Sequence, residues 1–234
     1  MMVRTRSGDR LEHIVDAALR VFVAQGFKGA RVDQVAEAAG VGPGTIYLYA
    51  RSKEALFELT LRAAFGEPLP AIESLPYEVE IGPAVVEWMW RRLRAVSPFD
   101  RLRAAASLPE PADARAEFLG VVDELWSWQA RYWRALELLE KCAREWPELE
   151  MLFYMQFRRE LLELGAQYLG RRMEQGHLLP YPDAGTAARV LAETVTFFAM
   201  HRHVRPDSAD LQEELSRQTV LVLLDRGFLP PVAK

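Results

Sequence analysis

Few residues in this sequence of 234 amino acids have the types and spacing that chemistry on a substrate requires. The histidines are His13, His177, His201 and His203. His201 and His203 stand two apart, so on a helix they point to opposite sides and cannot share one ion. Cys142 is the sole cysteine, which rules out an internal disulfide. It reads as a small buried hydrophobe, with a redox-sensing thiol as the alternative. No phosphate-cradling glycine loop and no nucleophile–base set is visible. These absences argue against an enzyme, a bound metal or a cofactor. The chemistry on offer is recognition. "GVGPGTIYLYARSKEALF", Gly40 to Phe57, sets two tyrosines and a threonine between glycines and a fresh helix start.

The elements that must position this stretch all read as helix. "RLEHIVDAALRVFVAQG" repeats Leu11, Ile14, Val15, Ala18, Leu19 and Phe22 at steps of three and four, with Asp9 as N-cap and Gly26 as stop. "VDQVAEAAG" places Val32, Val35, Ala36 and Ala39 on one face, closed by Gly40. A short helix from Pro43 to about Tyr49 and another from Ser52 to about Phe65 follow. The proline-rich "GEPLPAIESLP" then marks a seam. Further helices are expected near 78–96, 101–108, 112–145, 147–175, 184–203 and 208–226. The spacing predicts an all-α fold: a helix-turn-helix head over 1–52 and a larger helical bundle over 53–234.

Half of the residues are apolar, a globular composition. The longest apolar runs fall far below the ~20 residues of a membrane helix. With one cysteine and no signal-like start, a soluble cytoplasmic protein is expected. Net charge is −4, yet the first 62 residues hold nine Lys/Arg against seven Asp/Glu, and the rest hold 20 against 26. A mildly basic head on an acidic body permits a nucleic-acid partner without demanding one.

Within the head, Gly40-Val41-Gly42 leaves room only for a tight turn between crossed helices. Gly40 can adopt the left-handed conformation that ends the first, and Pro43 suits the opening position of the second. Val41 and Ile46 are expected to pack on Val35 and Ala36, turning Thr45, Tyr47, Leu48 and Tyr49 outward toward a major groove. Gly42 and Gly44 would let backbone approach phosphates. Lys53 stands in the first turn of a helix capped by Ser52, where the macrodipole disfavours a cation unless an anion arrives. A solvated surface lysine is the plain alternative.

These residues resemble the DNA-binding head of the tetracycline-repressor (TetR) family of bacterial regulators. Gly26-Phe27, Val32, Val35-Ala36, Gly40-Val41, Gly44-Thr45-Ile46-Tyr47 and Ser52-Lys53-Glu54-Ala55-Leu56-Phe57 carry the likeness. It implies that Thr45, Tyr47 and Tyr49 touch DNA and that Lys53 grips a phosphate. The full expected contact set is Arg31, Gly42, Pro43, Gly44, Thr45, Tyr47, Leu48, Tyr49 and Lys53. Three departures stand out. Arg31 replaces the usual Thr or Ser cap, Ala50 the usual Phe, and Leu48 a common aromatic. Arg4 and Arg6 read as a frayed terminus or as a basic arm near DNA.

The tryptophans, Trp88, Trp90, Trp126, Trp128, Trp133 and Trp146, all follow the head. They suit either an aromatic bundle core or, as the resemblance implies, a pocket for a small hydrophobic effector. Trp88, Trp126, Trp133, Phe153, Phe157, Phe197 and Met200 are the expected lining. The resemblance also implies a homodimer built on the last two helices through Leu191, Val195, Leu211, Leu215 and Val222, although both helices could instead pack within the chain. The expected function is a transcription factor, a repressor released from a palindromic operator on double-stranded DNA by its effector. The alternative is a helical small-molecule binder with a degenerate head.

Overall fold

The computed structural model describes residues 8–79, 83–97 and 99–231. Arg4 and Arg6 therefore lie outside the described residues. The elements in order are α1 (Gly8–Gly29), α2 (Val32–Ala38), α3 (Pro43–Ile46), α4 (Lys53–Ala64), α5 (Pro83–Val96), α6 (Asp100–Ser107), α7 (Ala114–Ala143) and α8 (Pro147–Glu150). A π-helical segment, Met151–Arg158, leads into α9 (Arg159–Glu174), α10 (Ala184–Ala199) and α11 (Glu213–Phe228). The all-α expectation holds: among the described residues the only β-type pairing is an isolated bridge between Ala50 and Tyr77. None of the described helices is long and apolar enough to cross a membrane.

Two compact units emerge, one of Met1–Arg92 with Arg134–Phe153, the other of Leu93–Trp133 with Tyr154–Lys234. The division differs from a break after residue 52, and the reason is packing. α4 lies against α1, where Phe57 meets Phe22 edge-on at 5.3 Å. Phe27 and Trp146 complete the cluster, with rings 5.2 Å and 6.0 Å from Phe57. Residues distant in sequence thus close the core around the helix-turn-helix. Trp146 and Trp88, expected in the larger body, belong to this first unit.

Local chemistry explains the joints. Gly26 adopts φ 76, a conformation that favours glycine, and a Cβ there would meet Glu145 Oε1 at 2.3 Å and displace its carboxylate. The Glu145 carboxylate accepts the Lys28 backbone N–H at 2.7 Å just beyond this kink. In the second unit Arg172 is buried, and its guanidinium donates to Glu117 at 2.8 and 3.1 Å, to the Ala105 carbonyl at 3.0 Å and to Gln175 at 2.8 Å. One side chain thereby joins α6, α7 and α9. A buried charge is tolerable only when its donors are matched in this way.

Candidate nucleic-acid interface

The turn between α2 and α3 forms as the glycine spacing demands. Gly40 has φ 65; its N–H donates to the Glu37 carbonyl at 3.0 Å, and the Val41 N–H to the Ala36 carbonyl at 2.9 Å. This pair of bonds satisfies the last carbonyls of α2 and turns the chain sharply. Pro43 then opens α3, and the Thr45 N–H donates to the Gly42 carbonyl at 2.8 Å. At the start of α2, the Gln34 side chain accepts the Arg31 N–H at 2.9 Å. Arg31 supplies no cap of its own; its exposed guanidinium pairs with Asp33 at 3.1 Å and holds that carboxyl below the usual carboxylate range.

α3 sorts its residues by helical geometry. Ile46, Thr45 and Tyr49 fall on one face at steps of one, three and four, and all three are buried. Pro43, Gly44 and Tyr47 occupy the opposite face and are exposed, Tyr47 at 47%. The outward placement of Thr45 and Tyr49 is therefore corrected: Thr45 is 3% exposed, and Tyr49 belongs to the core. Residues three and four apart share a side, so Tyr49 follows both Ile46 and Thr45. Leu48 and Gly42 are half-buried at the edge of the exposed face. Ala50 is also buried, and its strand-like backbone is held to Tyr77, whose N–H donates to the Tyr49 carbonyl at 2.8 Å.

Lys53 does not stand free at the start of α4. Its ammonium donates to the carbonyls of Phe27 at 2.8 Å and Ala30 at 3.1 Å, with Lys28 O at 3.5 Å, and lies 4.6 Å from the Phe27 ring. The cation that α4's own dipole disfavours is thus stabilised by the carbonyl-rich end of α1. Its three donors are directed at backbone carbonyls in this structure. The exposed surface around α3 is instead formed by Pro43, Gly44, Tyr47 and, at the start of α2, Arg31. Sequence spacing alone contained the signal for Thr45 and Tyr49; the role of Lys53 required knowing where α1 ends.

Along α4, Glu58 is buried beneath Arg62 and Tyr77. Its Oε1 accepts from Arg62 at 2.7 Å and from the Tyr77 hydroxyl at 3.0 Å. Burial and the adjacent Glu58 charge push the Tyr77 phenol up. Trp88 is committed to this network rather than to a pocket: its ring lies 4.2 Å from the Arg62 guanidinium, and its Nε1 donates to Glu67 at 3.2 Å.

The other expected pocket residues also disperse. Phe153 is buried in the first unit. Trp126 and Met200 are buried, Trp133 stacks on His203 at 4.3 Å, and Phe197 meets Phe198 at 5.1 Å. Of the expected set, Phe157 alone lines either cavity described here, both of which belong to the second unit. One, of about 190 Å³, is bounded by Arg94, Ser97, Phe99, Arg103, Phe157, Glu160, Leu161 and Leu164. The other, of about 50 Å³, is wholly apolar on most sides and shares Phe99 and Leu161. Neither tryptophan count nor helical spacing could foretell this, because the smaller cavity forms where α6, α7, α9 and α10 converge and the larger one among α5, α6, α9 and the π-helical segment.

The expected dimer stripe divides in two. Leu191 and Val195 are buried within the chain, Leu191 against the smaller cavity, so neither is available to a partner. Leu211 is half-buried. Leu215 and Val222 are exposed on the α11 face opposite the buried Ser216, Val220, Leu224 and Phe228, and Leu223 is exposed at its flank.

An all-helical chain whose first unit presents a short exposed helix behind a tight glycine turn has the build of a DNA-binding regulator. The family model for bacterial regulatory proteins of the tetR family matches residues 14–60. Over 50 residues the chain is 44% identical to the HTH-type transcriptional regulator YhgD of Bacillus subtilis, covering 21% of this chain and 26% of that one. It is 35% identical over 60 residues to the fatty acid metabolism regulator protein of the same organism, covering 26% and 31%. The matched stretch thus spans less than a third of either relative. The ketosteroid transcriptional regulator KstR2 of Mycobacterium tuberculosis shares the fold, with a TM-score of 0.58 at 16% identity over 98% of this chain and 100% of that one. Residues 14–60 thus resemble the tetR family of bacterial regulatory proteins, and the proteins matched there are transcriptional regulators.

Proposed function

We propose that this protein is a cytoplasmic, homodimeric transcription factor that represses from a palindromic operator and is released by a small effector bound in its second unit. The observation that carries the reading is the exposed face of α3, where Pro43, Gly44 and Tyr47 stand clear of the core. One such helix reaches few base edges, so two copies about 34–36 Å apart are needed to read successive major grooves. The exposed Leu215, Val222 and Leu223 stripe supports a two-fold partner. An effector that alters α4 in each copy would change the spacing of the paired heads, with a coupling of about 1–3 kcal/mol.

Selection of bound sites from random duplex DNA, repeated with candidate effectors, tests this reading. A palindrome that fades when one effector is added is the expected result. Tyr47→Ala should weaken the selected site about tenfold more than random duplex, as loss of a base-edge contact does. Equal loss on both would contradict base readout. A binder with a degenerate head, the rival reading, would show no salt-dependent affinity for duplex DNA at all.

A further inference from the structure

The larger cavity of the second unit joins two kinds of surface. Phe99, Phe157, Leu161 and Leu164 form an apolar wall, while Arg94, Arg103, Ser97 and Glu160 bring polar groups to the same space. Both guanidiniums converge on one carboxylate: Glu160 lies 3.3 Å from Arg94 and 3.6 Å from Arg103. Two cations against one anion leave a net charge of +1 at the rim. All three side chains are about half-exposed, 46–49%, so water screens their attraction and the arrangement can be exchanged at little cost.

Ser97 is different. It is 3% exposed, and its hydroxyl has no partner among the described residues. A buried hydroxyl without a hydrogen bond is costly, and such groups occur where a ligand or water completes them. Trp128, whose ring packs 5.0 Å from Phe99 and 5.8 Å from Phe157, carries a second buried and unpartnered donor one ring behind the wall. The backbone at the site is also unusual. Phe99 holds a left-handed conformation at φ 47, rare for a bulky residue, and Phe157 comes from the π-helical segment. Both features turn an aromatic side chain onto the cavity.

We propose that this cavity receives the carboxylate of a small amphipathic acid, its head held by Arg94, Arg103 and the Ser97 hydroxyl and its apolar body laid along Phe99 and Leu161. A carboxylate matches the planar guanidinium fork and the single excess charge. The shared Phe99 and Leu161 lead the apolar end toward the smaller cavity, whose other walls include Leu102, Leu125 and Leu169. The effector class is thereby an organic acid, narrower than the small hydrophobic effector expected from the sequence. This inference rests on reading the second unit as the effector domain.

Calorimetric titration of the full chain with sodium octanoate, 1-octanol and octyl phosphate tests it. Octanoate should bind about tenfold or more tightly than octanol. Arg94→Gln and Arg103→Gln should each weaken octanoate about tenfold while leaving octanol unaffected. Glu160→Gln should tighten octanoate severalfold, because it removes the competing carboxylate; a residue with only a structural role would not produce a gain. Circular dichroism of each variant identifies a folding defect, and the Glu160→Gln arm decides the matter even if an arginine variant unfolds. Octanol binding as tightly as octanoate, octyl phosphate outcompeting it, or no gain on Glu160→Gln overturns the proposal. Release of operator duplex is read separately. Octanoate that binds as described but leaves the DNA complex intact upholds the acid site and overturns the effector reading.

Discussion

Lys53→Met removes an ammonium and keeps most of its apolar stem, so it isolates what the charge contributes. The carbonyls of Phe27 and Ala30, at 2.8 and 3.1 Å, lose a charged donor, and the weaker contact with Lys28 O at 3.5 Å goes with them. Hydrogen bonds to a charged group are worth about 1.5–3 kcal/mol each, and the lower end applies because the site is only part-buried. The total is about 3–4 kcal/mol, with the cation–ring contact at 4.6 Å included. For a chain of this size the melting temperature should fall by roughly 6–16 °C. Far-UV circular dichroism measures that directly. Duplex binding across a salt series supplies the second half of the test. A lysine that neutralises a phosphate contributes about 0.9 to the slope of log affinity against log salt. Since the Lys53 donors are spent on backbone, the slope of the variant should match the parent. A slope reduced by about one unit with an unchanged melting temperature would refute the capping role and restore a phosphate contact.

Other outcomes follow from the same geometry. Gly26→Ala combines a positive φ with a Cβ 2.3 Å from Glu145 Oε1, and should destabilise the first unit by about 2 kcal/mol in denaturant titration. Burial, and secondarily the Glu145 charge, push the Cys142 thiol up to about 12. The native protein should therefore resist iodoacetamide at pH 8 and react once unfolded. An unfolded thiol ionises near 8.5 while the folded one keeps its proton, so the folded state binds more protons between those values and stability falls as pH rises through that window. Cys142→Ala should flatten that fall. Leu215→Glu with Val222→Glu should leave folding intact, as both side chains are exposed, and abolish the proposed dimer in analytical ultracentrifugation; a variant that still dimerises would place the interface elsewhere, and a monomeric parent would refute the dimer.

Much of this protein is legible from local signals. The apolar period of α1, the Gly40 stop, Pro43 at the start of α3 and Ser52 as the cap of α4 each act within one turn of chain. Their positions agree with the sequence to within a residue or two, and so does the all-helical class. The face of α3 was legible as well, since Thr45, Ile46 and Tyr49 must fall together on any helix. Assigning Thr45 and Tyr49 outward set residue type above periodicity.

Tertiary packing decided the rest, because those outcomes depend on contacts between residues far apart in the chain. Trp146 joins Phe27 and Phe57 only once the segment after α7 folds back to the first unit, and no spacing encodes that approach. Lys53 finds carbonyls more than twenty positions earlier. The larger cavity assembles from α5, α6, α9 and the π-helical segment around a left-handed Phe99, which leaves no trace in any one of their periodicities. Local rules constrain dihedral angles and faces; the partners of a charge, and the space left between helices, are settled only when the chain has closed on itself.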